Sequence, residues 1–101
     1  SHPSLATTYN NLGLVYQKLA KYNKAYKKYN KSLVIKIAHY GEDHHCVADT
    51  YVNLANVYKM QGKKSEARKL YEKALGIYTK HFEVNHPDIQ RLKKNLEAVR
   101  Y

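Results

Sequence analysis

Three consecutive residues near the middle of the chain could bind a metal ion: His44, His45 and Cys46. Imidazole and thiolate groups are common ligands of zinc and related metals. The spacing argues against such a site, because no pair has the Cys-x-x-Cys or His-x-x-x-His pattern of a zinc centre. His44 also lies 42 residues after His2 and 42 residues before His86. A recurring structural role, such as capping a helix end, is the better interpretation, and we predict no metal site.

Groups that could support catalysis are dispersed along the chain. The 8 Asp and Glu residues form no evident acid–base pair, and no Gly-rich phosphate loop is present. Cys46 occupies the repeat position that Ser4 and Asp88 also fill. Its neighbours His44 and His45 can carry positive charge, but the position is a helix start, and we interpret Cys46 as a surface thiol. The prediction is no enzymatic activity, no catalytic residues and no cofactor.

Positive charge is the second pattern. The chain has 18 Lys and Arg against 8 Asp and Glu, a net charge of +10, and the first acidic residue is Glu42. Lys24, Lys28 and Lys31 lie at helical spacing before it, and we name them the basic outer face. A solvated surface is the commoner explanation of such a face. The alternative is an acidic partner, namely a protein tail, RNA or anionic lipid.

The cellular compartment follows from three weaker signals. A single cysteine cannot form an intrachain disulfide, which fits a reducing compartment. No secretory signal opens the sequence, and no apolar run is long enough to span a membrane. We expect a cytoplasmic protein without a membrane span.

An internal repeat indicates the elements that position these residues. The sequence matches itself when it is shifted by 42 residues. This predicts one domain over 1–101, with repeat one at 2–43, repeat two at 44–85 and a further helix within 86–101. Identities at this offset include Ala6 and Ala48, Thr8 and Thr50, Tyr9 and Tyr51, Asn11 and Asn53, Leu12 and Leu54, Val15 and Val57, and Tyr16 and Tyr58.

Each repeat is predicted to be a pair of helices. Leu5, Tyr9, Leu12, Gly13 and Tyr16 recur at spacings of three and four, which places them on one inward face. By equivalence Tyr58 belongs to the inward face of repeat two, where we expect it to be core. The predicted helices cover about 3–20, 22–40, 45–61, 64–82 and 87–100.

These inward residues resemble the tetratricopeptide repeat (TPR) signature of large, Leu, small, Tyr, then Ala, aromatic, small. The 42-residue period and the strings "NNLG" and "VNLANVY" are similar to the longer repeats of kinesin light chains and nephrocystin-3-like proteins. The resemblance implies an all-α, right-handed α-solenoid of stacked helical hairpins. It also implies an adaptor or scaffold for other proteins, associated with the cytoskeleton or a cilium. The residues that carry the signature are Tyr9, Leu12, Gly13, Tyr16, Ala25, Tyr29 and Ser32 in repeat one, and Tyr51, Leu54, Ala55, Tyr58, Ala67, Tyr71 and Ala74 in repeat two.

The third unit departs from this pattern. Glu97 replaces the small residue and Arg100 replaces the tyrosine, which is typical of a helix that ends an array with a polar face. We predict a C-terminal capping helix. Repeat one has no comparable cap, so further repeats or domains are expected on its N-terminal side.

Binding is predicted on the face of the first helix of each repeat that lies opposite the inward residues. We name this face the concave strip. Asn11, Asn53 and Asn95 recur there at the repeat period. An amide side chain can pair with a peptide backbone of any sequence, and the basic residues of the strip would favour carboxylates. The alternative is that these asparagines stabilise neighbouring helices. The predicted ligand-binding residues are Asn11, Lys18, Asn53, Asn56, Lys59, Arg91, Lys94 and Asn95.

Three functions stay open from the sequence. The first is a protein-interaction module that holds a peptide or protein with acidic residues in a basic, Asn-lined groove. The second is nucleic-acid or anionic-surface binding through the Lys-rich first repeat, which steep salt dependence would reveal. The third is a stacking segment of a longer array that binds nothing itself.

Overall fold

Helices account for nearly all the secondary structure of residues 3–100, the range that this computed structural model describes. No strand forms in that range, and the predicted all-α fold is confirmed. None of the helices there is both long and apolar enough to cross a membrane. The observed bounds agree with the predicted ones within two residues. The helices are α1 (Pro3–Lys18), α2 (Tyr22–Tyr40), α3 (His45–Met60), α4 (Lys64–His81) and α5 (Pro87–Ala98).

Each helix packs mainly on its neighbours in sequence. α1 and α2 form one hairpin and α3 and α4 form the second, while α2 packs on α3 and α4 packs on α5. Contacts mainly between adjacent elements are characteristic of a stacked-repeat array. The hairpins therefore stack in a line, as the period of the sequence predicts.

The two turns within the hairpins have the same geometry but different residues. Ala20 has φ 58° and the equivalent Gly62 has φ 80°. In each turn the next residue closes the end of the helix. Lys21 N donates to Tyr16 O at 2.9 Å, and Lys63 N donates to Tyr58 O at the same distance. Glycine adopts positive φ freely, whereas the Cβ of alanine is strained there.

Replacing Ala20 by Gly is expected to raise the free energy of unfolding by roughly 0.5–1 kcal/mol, because it removes that strain. The matched change Gly62→Ala should lower the free energy of unfolding by a similar amount. Urea unfolding of both variants and the wild type measures the two differences. A less stable Ala20→Gly protein contradicts the left-handed turn at this position.

Two tyrosines form the centres of the hairpins. Tyr29 and Tyr71 are fully buried. A Cβ on Gly13 would lie 2.7 Å from Cδ1 of Tyr29, so the absent side chain lets the ring pack directly on the α1 backbone. In the second hairpin the equivalent residue is Ala55, also fully buried. The small residues of the signature thus make room for these rings.

Tyr58 is less buried than the sequence predicts. It is half-buried, with its ring centroid 5.6 Å from that of Tyr26 on α2 and Lys63 Nζ 5.8 Å away. Its position near the end of α3 leaves part of the ring open to solvent. Tyr71, and not Tyr58, is therefore the central aromatic residue of repeat two.

Three apolar positions recur on the face of each unit that the preceding helix covers. In α3 they are Val47, Leu54 and Val57, which are at most 3% exposed because they pack in clusters with α2 residues. In the third unit two of the equivalents, Ile89 and Val99, are fully buried. They belong to the same cluster as the buried residues of α4.

The same positions in α1 are open. Leu5, Leu12 and Val15 are 43%, 39% and 53% exposed. The prediction that Leu5 and Leu12 face inward is therefore wrong for the described residues, because no described helix lies before α1 to cover them. This leaves an apolar front face on the first hairpin.

The other end of the stack is polar. Gln90, Lys93, Glu97 and Arg100 are all exposed. They occupy the positions at which α1 and α3 carry small or tyrosine side chains against their hairpin partners. The third unit therefore presents a hydrophilic face where the first two units pack on a second helix.

Candidate functional site

Side-chain hydrogen bonds join α1 to α3 across the predicted concave strip. Asn53 Nδ2 donates to Asn10 Oδ1 at 2.9 Å. Near the C-terminal end of α1, Gln17 Nε2 lies 3.6 Å from Met60 Sδ. The first helices of the two repeats, α1 and α3, thus lie side by side. Asn53 has a hydrogen-bond partner, Asn10, that the sequence did not identify.

Buried tyrosine hydroxyls reach the floor of this strip. Tyr29 OH donates to Gln17 Oε1 at 2.8 Å, and Tyr71 OH donates to Asn56 Oδ1. Burial raises the pKa of Tyr29 and of Tyr71 to about 12 in each case, so both hydroxyls remain protonated donors. Asn56 is held with its oxygen toward the core, and its Nδ2 points away from that bond. A buried tyrosine hydroxyl usually finds a hydrogen-bond partner, but the repeat could not identify Gln17, because its equivalent is Lys59 and Tyr71 bonds to Asn56 instead.

The carboxylate of Asp49 is compensated by its surroundings. Tyr78 OH donates to Asp49 Oδ1, and burial raises the pKa of Tyr78. Lys36 Nζ donates to Thr50 Oγ1 at 2.9 Å. Burial lowers the pKa of Lys36, while the nearby charge of Asp49 acts in the opposite direction. Asp49 therefore opposes an acidic ligand less than its charge alone suggests.

The predicted basic residues of the strip divide into two groups. Lys18, Lys59 and Lys94 are exposed. Arg91 Nη1 forms an ion pair with Asp88 Oδ1 at 3.2 Å, so its charge is partly neutralised. Of the two outer asparagines, Asn11 is exposed and Asn95 is half-buried.

The basic outer face packs on α1. Lys24 Nζ lies 5.7 Å from the ring centroid of Tyr16. Lys28 Nζ and Lys31 Nζ lie 5.7 Å and 5.4 Å from that of Tyr9. Lys28 is half-buried, contrary to the expectation of full exposure. These cation–π contacts give the lysines a packing role besides their charge.

Histidines cap two helices, as the repeat position predicts. His44 Nδ1 accepts from Cys46 N at 3.0 Å, and His86 Nδ1 accepts from Asp88 N at 3.1 Å. The equivalent His2 lies outside the described residues. Both caps need an unprotonated Nδ1, because only the neutral ring can accept a hydrogen bond.

The ligand atoms of His44, His45 and Cys46 lie within 4.8 Å of one another. The two imidazoles stack at a centroid distance of 4.4 Å with 28° between their planes, and the cap already engages Nδ1 of His44. Stacked rings cannot both direct in-plane lone pairs to one ion without rotating. Burial raises the pKa of the Cys46 thiol, which disfavours the thiolate that a metal or a nucleophilic reaction requires.

Acidification should weaken the cap of α3. Burial, followed by the neighbouring His45, lowers the pKa of His44, so the folded protein binds this proton less readily than the unfolded chain. The stability that His44 contributes is therefore present above about pH 6.5, the ordinary pKa of histidine. It is lost as the pH falls further, and one side-chain cap contributes about 1 kcal/mol.

The variant His44→Asn isolates this contribution, because asparagine caps a helix but does not titrate. Urea unfolding at about pH 7.5 and about pH 5, on either side of the ordinary histidine pKa, should show a larger loss for the wild type. An equal loss in both proteins contradicts the role of His44.

Comparison with known proteins agrees with this architecture. The tetratricopeptide repeat family model matches residues 4–80. The structure is also similar to the kinesin light chain nearly identical TPR-like repeats of Podosopora anserina, with a TM-score of 0.83 and 23% sequence identity. The alignment covers 99% of this chain and 48% of that one, so the chain spans about half the length of that solved structure. No curated protein matches the sequence.

Proposed function

Because the chain belongs to the tetratricopeptide repeat family, we propose that it is a non-enzymatic adaptor module that holds an acidic peptide on its concave strip. The TPR fold generally mediates protein–protein interaction. The observation that supports this site is the exposure of Asn11, Lys18 and Lys59 on α1 and α3, the two helices that the bond between Asn53 and Asn10 joins. Amide groups on such a surface can pair with an extended peptide backbone.

Charge supports an acidic ligand. Lys18, Lys59 and Lys94 are exposed on the strip, where charge-assisted hydrogen bonds to carboxylates are available. Asp49 is engaged by Tyr78, and Lys36 lies close enough to influence it. The exposed lysines therefore favour carboxylates over other ligands on the strip.

A titration monitored by backbone amide NMR tests this proposal. The isotope-labelled chain is mixed with a peptide rich in Asp and Glu, or with the same peptide carrying Asn and Gln. We expect the acidic peptide to shift the amides around Asn53, Asn56 and Lys59, and the neutral peptide to bind much more weakly. Equal binding of both peptides, or shifts confined to other surfaces, would remove the strip as the site.

The front face supports a second proposal, that a helix of a preceding repeat covers α1. Leu5, Leu12 and Val15 are exposed where their equivalents in the later units are buried. The polar face of the third unit, in contrast, fits a capping helix that ends the stack. We propose that further TPR repeats stand on the N-terminal side in the parent protein.

A fusion tests the covering of the front face. A copy of residues 44–85 placed before α1 should raise the melting temperature and slow hydrogen exchange of the Leu12 and Val15 amides. The matched control carries the same copy with charged residues at its α2-like packing positions. Unchanged exchange at Leu12 and Val15 in the fusion would refute the assignment.

A cytoplasmic location, in association with the cytoskeleton or a cilium, is our proposal for the parent protein. The kinesin light chain TPR-like repeats of Podosopora anserina share the fold, and the resemblance of the sequence to kinesin light chains supports this location. Microscopy of the tagged parent protein checks this location, and a secreted pool would contradict it.

A further inference from the structure

Two hollows lie along the edge of the stack at which α1 turns into α2 and α3 turns into α4. The first has a volume of about 310 Å³ and lies between the first turn and Gln61, at the end of α3. The second has a volume of about 450 Å³ and lies between the second turn and Arg100, just after α5. We name this edge the turn edge, which comprises residues 20–24, residues 61–68 and Arg100.

Both hollows lie between units of the stack that the structure describes. The first is formed by residues of repeats one and two, and the second by residues of repeat two and the third unit. Neither is lined by Leu5, Leu12 or Val15 of the front face. A preceding helix that covered α1 would therefore leave both hollows open.

Positive charge is concentrated in these two hollows. Lys21 and Lys24 line the first, and both are exposed. Four more exposed cationic residues line the second, namely Lys63, Lys64, Arg68 and Arg100. Among the described residues, Glu66 is the one carboxylate in either lining.

Little of this charge is neutralised nearby. Of the six cationic residues, Arg100 alone forms an ion pair within the described part of the chain, with Glu97 at 3.4 Å. Four other carboxylates lie in or next to the turns of the opposite edge, namely Glu42, Asp43, Glu83 and Asp88. The turn edge therefore has a positive field that attracts an anionic partner.

The first hollow also contains groups that suit a nucleobase. Its lining includes the half-buried ring of Tyr22 and the side-chain amides of Asn23 and Gln61. An aromatic ring can stack on any base, and amide groups can form hydrogen bonds with base edges. One hollow thus combines a stacking surface, two amides and two lysines.

These groups are available to a ligand. No lysine lies over the Tyr22 ring within the described residues, whereas lysines lie over four other tyrosines, namely Tyr9, Tyr16, Tyr51 and Tyr58. In the same part of the chain, the side-chain amides of Asn23 and Gln61 form no hydrogen bond. The amides of Asn53 and Asn56 on the concave strip, in contrast, are already engaged.

The lining favours a nucleic acid over an acidic protein segment. Val99 is the one branched aliphatic residue that lines the hollows among the described residues, and it is fully buried. An acidic peptide would therefore bind through exposed ion pairs alone, each of which contributes little. A nucleic acid carries condensed counterions, and their release makes binding to the same cations much tighter at low salt.

We propose that the turn edge binds single-stranded nucleic acid. An unpaired base stacks on Tyr22 and bonds to the two amides of the first hollow. The phosphates on either side pair with Lys21 and with Lys63 and Lys64. A base within a duplex is not available for this stacking. The site is separate from the concave strip, and of the basic outer face it uses Lys24 alone.

The test uses the 101-residue chain and a fluorescently labelled oligouridine of about 10 nucleotides, a usual site size for such proteins. Affinity is measured by anisotropy between about 50 mM and about 200 mM salt. We expect log affinity to fall with log salt concentration at a slope of about −3.5, because about five net cations contact phosphates. This corresponds to a loss of roughly 100-fold over that range. Backbone amide NMR should show shifts around Lys21, Tyr22 and Gln61.

Matched lysine variants separate the site from general charge. Lys63→Gln with Lys64→Gln should weaken oligouridine binding about tenfold to thirtyfold at about 100 mM salt and reduce the slope by about 1.4. The control is Lys69→Gln with Lys73→Gln, exposed positions of α4 outside both hollows. It removes the same charge and should weaken binding less than about threefold. Each pair includes one lysine that lies over a tyrosine ring, so the loss of a cation–π contact is matched too.

The stacking contact has its own variants. Tyr22→Leu should weaken oligouridine binding about fivefold or more without a change in salt slope, and Tyr22→Phe should retain the affinity, since stacking requires only the ring. Because Tyr22 packs against a core cluster, the melting temperatures of both variants are measured as well. The lysine variants keep the test informative if Tyr22→Leu does not fold. Equally weak binding by the Phe and Leu variants would remove the ring from the site.

Other outcomes would overturn the proposal. An oligoglutamate of the same length that binds as tightly as oligouridine would make the turn edge a surface for acidic proteins. Tighter binding to vesicles of anionic phospholipid would make it a membrane-facing surface. Equal binding of duplex and single strand would reduce it to a general positive field, as would equal effects of the two double lysine variants. Shifts centred on Asn53 and Asn56, or no binding at about 50 mM salt, would show that the turn edge is not the site.

Discussion

Tyr71→Ala is expected to lower the free energy of unfolding by about 3–5 kcal/mol, the cost of truncating a fully buried aromatic side chain. Tyr71 is 0% exposed and lies in the main core cluster with residues of α3, α4 and the third unit. A cavity there would weaken the packing of α4 both on α3 and on the third unit. For a domain of this size the melting temperature should fall by roughly 15 °C or more.

The conservative variant Tyr71→Phe keeps this test informative if the alanine variant does not fold. It retains the ring but loses the hydrogen bond to Asn56 Oδ1, which should cost about 1 kcal/mol. Tyr58→Ala is the matched comparison in the same repeat. Because Tyr58 is only half-buried, its truncation should cost less than half as much. A greater loss for Tyr58 than for Tyr71 would contradict the observed order of burial.

Asn53→Ala is expected to weaken binding of an acidic peptide by about 5- to 150-fold, which corresponds to about 1–3 kcal/mol for a hydrogen bond lost in a desolvated groove. The melting temperature should fall only slightly. The variant loses the bond to Asn10, about 1 kcal/mol, but alanine is the better helix former and offsets part of that loss.

Asn10→Ala provides the control that separates two roles of Asn53. It removes the same bond between α1 and α3 but leaves the Asn53 amide in place. If Asn53 contacts the ligand, Asn53→Ala will weaken binding more than Asn10→Ala does. Equal affinities for the two variants, with equal changes in melting temperature, would leave Asn53 a purely structural role. Peptide affinity by calorimetry and thermal unfolding by circular dichroism supply both measurements.

The helices and the repeat could be predicted from the sequence because both depend on local or periodic information. Apolar residues at spacings of three and four mark one face of a helix, and the match at an offset of 42 residues marks the stacking unit. The capping histidines were also predictable. His44 and His86 accept from backbone N–H groups only two residues away.

The candidate site was predictable only in part. The periodic pattern placed Asn53 on the correct helix and could not identify Asn10 as its partner, because the two residues are 43 positions apart. The same limit applies to Lys28, which we expected to be exposed but which is half-buried. Its Nζ lies 5.7 Å from the ring centroid of Tyr9, a contact that depends on how α2 crosses α1.

The sequence by itself determined that this chain is a stack of helical hairpins with small residues facing core tyrosines. Only the tertiary structure decided which apolar positions are buried. Leu12 and Leu54 are the same residue at the same repeat position, yet they are 39% and 3% exposed. Periodicity tells which side of a helix is apolar, but burial requires a neighbouring helix to exclude water from it. α2 supplies that neighbour for Leu54, and no described helix supplies one for Leu12.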